Sequence, residues 1–129
     1  MESLQSSLFA QFKRAFIVGG GPAPAVGWLR RQILPGDCLM AADRGASYLQ
    51  ADGLMPDLLL GDFDSLPPEM LHTLQKECRQ CLTFPCDKDY SDLELALRAA
   101  HHLGLKQIVI AAALYGRLDH CLFNIISIL

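Results

Sequence analysis

The sequence predicts an α/β fold, doubly wound, with a mainly parallel sheet and helices on both faces in a Rossmann-like three-layer arrangement. Three observations carry this expectation. Five short apolar runs, at residues 15–18, 37–42, 58–60, 82–84 and 107–112, are separated by helix-length segments. The runs are continuous rather than alternating, as strands covered by helices on both sides are. Charged residues gather directly after the runs, at the strand ends where sheets of this kind bind ligands.

Ala15–Val18 is the first strand and feeds Gly19-Gly20-Gly21; Pro22 and Pro24 then suit the start of a helix carrying Val26, Trp28, Leu29 and Ile33. Proline fits a first helical turn because the N–H it lacks would be unpaired there. Pro35-Gly36 turns the chain into a second strand, Asp37–Ala42, and Asp43 opens a helix over Gly45–Ala51. Leu58–Leu60 is a third strand, and Pro67-Pro68-Glu69 opens a helix through Met70, Leu71 and Leu74 toward Cys78. Leu82–Phe84 forms a fourth strand. Leu93, Ala96, Leu97 and Ala100 then recur at helical spacing in a helix over Asp92–Leu103 that Gly104 stops. Gln107–Ala112 is a fifth strand. Leu118–Leu129 reads as a closing helix that stops on apolar residues without a glycine or basic cap, as if the protein continued. Residues 1–14 form an amino-terminal extension in which Leu4–Phe12 fits a short helix of no readable role.

With 129 residues, 51% hydrophobic and 19% charged, the chain has the makings of one ordinary domain and is too apolar for disorder. A net charge of −3 with scattered basic residues gives no nucleic-acid surface. No apolar run is long enough to cross a bilayer, and Lys13 and Arg14 follow rather than precede the first apolar residues, against a leader peptide. A cytoplasmic protein with no membrane partner is expected. Five cysteines fit reduced thiols. Cys78-x-x-Cys81, with His72 and Cys86 nearby, has zinc-like spacing, but His72 and Cys78 fall on a surface helix and Cys86 on a strand end, and the thiols are read as incidental.

The acidic motifs carry the chemistry. In Gly61-Asp62-Phe63-Asp64-Ser65, alternation along an extended segment would send both carboxylates to one side and Phe63 to the other, an arrangement suited to a shared divalent cation. Asp87-Lys88-Asp89-Tyr90-Ser91-Asp92-Leu93-Glu94 contains a capping box, Ser91 to Glu94, with Asp92 favouring the helix dipole. Capping leaves Asp87 and Asp89 unexplained, and so many acids at one helix start repel unless a cation sits nearby. Gly116-Arg117-Leu118-Asp119-His120 joins a glycine to a charge pair; it reads as phosphate and substrate contact or as a surface ion pair. His120 reads first as a helix-start histidine. Acids interleaved with Lys88 and Arg117 describe a metal-nucleotide site, because Mg²⁺ takes oxygen ligands and usually shares them with substrate phosphates. Gly19-Gly20-Gly21-Pro22 lacks the spacing of a dinucleotide fingerprint and supports a tight turn with exposed amides.

These motifs, with Ala42-Asp43-Arg44-Gly45-Ala46 before them and in this order, resemble the catalytic domain of thiamine pyrophosphokinase over residues 15–129. The resemblance implies diphosphoryl transfer from ATP to thiamine, with Mg²⁺, giving thiamine diphosphate and AMP. By position it implies metal ligation by Asp62, Asp64 and Asp92. It places Asp43, Asp87, Lys88, Asp89, Ser91 and His120 near nucleotide or phosphate, and Arg117 and Asp119 at the reacting end. It also implies a homodimer and a smaller carboxyl-terminal thiamine-binding β-domain, which this chain does not include. Two alternatives stand beside it. One is a pyrophosphokinase for a pterin alcohol; the other is a non-catalytic nucleotide-binding or regulatory module, which rests on the missing β-domain and on Arg44 and Tyr115 standing where the resemblance leads one to expect glycine.

Overall fold

The protein is described here by a computed structural model covering residues 4–42, 44–61, 63–64, 66–84 and 92–112, with residues 123–126 and position 92 described by their backbone alone. A short 3-10 helix, Ser6–Phe9, precedes β1 (Arg14–Val18), α1 (Trp28–Gln32), β2 (Asp37–Ala42), α2 (Gly45–Ala51), β3 (Leu58–Gly61), α3 (Pro68–Glu77), β4 (Gln80–Thr83), α4 (Asp92–His102), β5 (Gln107–Ala111) and β6 (Phe123–Ile126). The sheet order is β4-β3-β2-β1-β5-β6. The first five strands are parallel, and β6 pairs antiparallel with β5, Gln107 opposite Ile126.

Successive side chains of a strand point to opposite faces, so each apolar run supplies two cores. Ala15, Ile17, Cys38, Met40, Leu58, Leu60, Ile108 and Ile110 meet Ala96, Ala99 and Ala100 of α4 on one face. Leu4 and Phe9 join that core, so the amino-terminal segment packs against the sheet. Phe16, Val18, Leu39, Ala41, Leu59 and Val109 meet Leu29, Ala46, Leu49 and Leu74, from α1, α2 and α3, on the other. The three-layer expectation holds.

Two predicted helices are corrected. The first does not begin at Pro22 or Pro24: it starts at Trp28, after Gly27 in a left-handed conformation (φ 87°), and Val26 is 79% exposed. The reason is a cap supplied from another element. One carboxylate oxygen of buried Asp52 accepts the Gly27 N–H at 2.7 Å and the other accepts the Arg30 N–H at 3.1 Å, satisfying donors that a helix start leaves open. The second correction concerns Leu118–Leu129, expected as helix, where residues 123–126 form β6. A short apolar run has no period that separates helix from strand, and here the open edge of β5 decides. The rest of that segment lies outside the described residues.

The charges at the amino-terminal end of the sheet are paired with one another. Arg14 donates twice to Asp37, at 2.8 and 2.7 Å, and the Asp37 hydrogen bond raises the Arg14 pKa above its ordinary value. Asp37 is 2% exposed as a side chain, and removing its partner would cost about 3–5 kcal/mol. Asp57 accepts the Leu39 N–H at 2.9 Å and pairs with Arg79 at 3.2 Å. This end is structural.

Candidate active site

The opposite end of the sheet has different features. From β1 to β4 the chain steps steadily outward with α1, α2 and α3 on one face; it then returns through α4 on the other face to place β5 beside β1. The crevice of such a sheet lies beyond the carboxyl ends of the strands where the winding reverses, here β1 and β5.

The glycine turn after β1 sits at that point. The Gly19 N–H donates to the Ala111 carbonyl at 2.9 Å and the Gly21 N–H to the Ala112 carbonyl at 2.7 Å, continuing the β1–β5 pairing beyond the strands. Two carbonyls of the turn are held from the side: Arg44 donates from Nη2 to Gly20 at 3.0 Å, and the Tyr48 hydroxyl donates to Gly21. Arg44 and Tyr48 are four residues apart at the start of α2, which puts both on one side of the helix, facing the turn. Gly45, between them, allows the close approach. A Cβ there would lie 2.0 Å from the Val18 carbonyl oxygen, so only glycine lets α2 begin against the end of β1.

Strain marks the same end. Phe63 (φ 67°) and Ala112 (φ 55°) are the described non-glycine residues in the left-handed region, and they closely follow the ends of β3 and β5. Such conformations cost on the order of 1–3 kcal/mol each and concentrate at functional sites. Both side chains are buried, Phe63 in the core beneath α2 and α3. The Leu66 N–H donates to the Phe63 carbonyl at 3.2 Å, and Leu66 is buried as well, so this turn is pinned at both ends. Asp64, just after its first residue, is exposed. The segregation expected of Phe63 and Asp64 is therefore present, but its cause is corrected: the backbone turns at Phe63 and does not run extended.

Of the other residues proposed for the site, Asp92 is the first residue of α4. Asp43, Asp62, Asp87, Lys88, Asp89, Ser91, Arg117, Asp119 and His120 lie outside the described residues. The elements they adjoin in sequence are placed: β2 ends at Ala42, β3 at Gly61 and β4 at Thr83, side by side in register. The Phe84 N–H donates to the Gly61 carbonyl at 2.9 Å, joining the last two of these ends. Among the described residues, no three His, Cys, Asp or Glu side chains gather to hold a metal. His72 is exposed on α3, Cys78 caps that helix, Cys81 is in β4, and Cys86 lies outside the described residues. Sequence reasoning missed the supports of the glycine turn. Their only signal was Arg44 and Tyr48 at helical spacing around a glycine, directly after a strand.

Comparison with known proteins identifies the family and agrees with the fold. The model of the family "Thiamin pyrophosphokinase, catalytic domain" matches residues 31–129. A thiamine pyrophosphokinase of Bacillus subtilis is 31% identical over 109 residues, covering 84% of this chain and 51% of that protein. A crystal structure of thiamine pyrophosphokinase from the same organism superposes with a TM-score of 0.67 at 30% identity, covering 84% of this chain and 50% of that one. For the thiamin pyrophosphokinase of Geobacillus thermodenitrificans the TM-score is 0.64 at 37% identity, covering 83% and 50%. The chain spans about half the length of the relatives it matches.

Proposed function

The chain belongs to the thiamin pyrophosphokinase family, by its catalytic domain, and on that premise we propose that the protein transfers a diphosphoryl group from ATP to thiamine, releasing thiamine diphosphate and AMP. The observation that supports this reading is the family match over residues 31–129, and Asp64, exposed on a pinned turn beyond β3, stands where such a site could use it. The donor set is one that Mg²⁺ favours, since Asp62, Asp64 and Asp92 offer carboxylate oxygens only. When bound there, Mg²⁺ supplies positive charge to the transferring phosphates.

The protein's own groups have the remaining work. Transfer of this kind asks mainly for alignment of the acceptor hydroxyl with the β-phosphorus and for charge on the transferring oxygens. Lys88 and Arg117 would donate to phosphate oxygens. Asp43, Asp87, Asp89, Ser91 and His120 would border the nucleotide, and the glycine turn held by Arg44 and Tyr48 would close the crevice at its β1 side. Asp119 would orient the thiamine hydroxyl and receive its proton as the bond to phosphorus forms. The working protein is proposed as a cytoplasmic homodimer. Among the described residues, no helix is long and apolar enough to cross a membrane.

Acceptor competition tests the assignment. With ATP and Mg²⁺ supplied, AMP should accumulate when thiamine is added and not when a hydroxymethylpterin replaces it. AMP formation with the pterin alone would transfer the reading to the pterin alcohol, and ATP binding without AMP under either condition would leave a nucleotide-binding module.

A further inference from the structure

We propose that Cys78 and Cys81 form a thiol–disulfide modification site that closes when the protein meets a low-molecular-weight disulfide such as glutathione disulfide. The two sulfurs lie 2.9 Å apart, closer than a pair of packed thiols and less than 1 Å beyond the length of a sulfur–sulfur bond. The fold creates this proximity. Cys78 caps the carboxyl end of α3, and Cys81 sits in β4 on the sheet face that α3 covers, so both thiols turn into one corner at the edge of the sheet. Both are half-buried, and neither is in a disulfide. Cys38, by contrast, is fully buried in the opposite core and its thiol is pushed up by burial, which leaves it inert.

The chemistry assigns each sulfur a part. The hydrogen bond between them draws Cys78 below its ordinary pKa and holds the Cys81 proton more firmly, so Cys78 is the attacking thiolate. Its sulfur displaces one glutathione thiolate from glutathione disulfide, leaving a mixed disulfide at Cys78. Cys81 then gives its proton to solvent and attacks the Cys78 sulfur, displacing the second glutathione. Two protein thiols are oxidised and one glutathione disulfide is reduced to two glutathione thiols. The product ties the end of α3 to the start of β4, the edge strand whose other end adjoins Gly61.

Peptide mapping of the whole chain after exposure to millimolar glutathione disulfide tests this. Trypsin cuts after Lys76, Arg79 and Lys88, so the bond would join peptide 77–79 to peptide 80–88 and leave the pair two hydrogens lighter. Peptide 80–88 also holds Cys86, which a variant separates. The link should persist in Cys86→Ser, and in Cys81→Ser the reaction should stop at glutathione attached to Cys78. Loss of the link in Cys86→Ser, an unmodified Cys78 in Cys81→Ser, or two free thiols in the wild-type chain after equilibration would each overturn the proposal.

Discussion

Asp57 and Asp64 flank one strand, β3, before its start and beyond its end, and their surroundings give them opposite work. Asp64 is exposed, so replacing its carboxylate with an amide should leave folding within about 0.5 kcal/mol of the wild type. If it shares the Mg²⁺ that neutralises the transferring phosphates, Asp64→Asn should lower kcat by about 10²–10³-fold, the scale on which one electrostatic contact to a developing charge counts. Thermal melts and turnover measured on the same preparation check both halves; near-wild-type turnover at limiting Mg²⁺ would remove Asp64 from the metal. Asp57 is structural. Burial raises its pKa above the ordinary 3.8, outweighing the Leu39 N–H and Arg79, which lower it. The sign follows from proton linkage: a carboxyl that holds its proton more tightly when folded contributes stability below its unfolded pKa and loses it as pH rises through the folded one. The Tm advantage of wild type over Asp57→Asn should therefore shrink as pH rises from the ordinary 3.8 upward through the raised pKa. An advantage that grows over that interval would mean that the Arg79 ion pair outweighs burial.

Elements were legible wherever one local rule decided them. Four of the five parallel strands follow continuous apolar runs, whereas β4 begins at polar Gln80, two residues before the expected run, and stops short of Phe84; α2 was read with its observed bounds because a strand and an aspartate precede it. The start of α1 was not legible, since its cap, Asp52, comes from the end of α2. β6 was not legible either, because the edge it completes is made by residues 107–111, remote from it in sequence. At the site, the acidic motifs were readable from composition and spacing, whereas the contact between Gly45 and Val18 required knowing that α2 starts against β1. That contact makes its own prediction. Gly45→Ala places a methyl carbon against backbone that cannot retreat, and should destabilise the protein by about 1–3 kcal/mol or more. Urea unfolding checks it: a loss below about 0.5 kcal/mol would mean that α2 can shift away from β1, and the packing described at the glycine turn would be too rigid.

At the scale of the whole molecule, one reversal of winding organises everything else. It sets β1 beside β5, so the glycine turn and the strained backbone at Ala112 share a border, while β2, β3 and β4 end alongside in register. Charges that only support the fold collect at the other end, in Arg14–Asp37 and Asp57–Arg79. The proposed reaction attacks the second phosphorus of ATP rather than the third, and the fate of a label tests that proposal directly. ATP labelled at the β-phosphorus, incubated with the protein, Mg²⁺ and thiamine, should yield labelled thiamine diphosphate and unlabelled AMP in equal amounts. Label retained in ADP, beside a thiamine that carries a single phosphate, would contradict it.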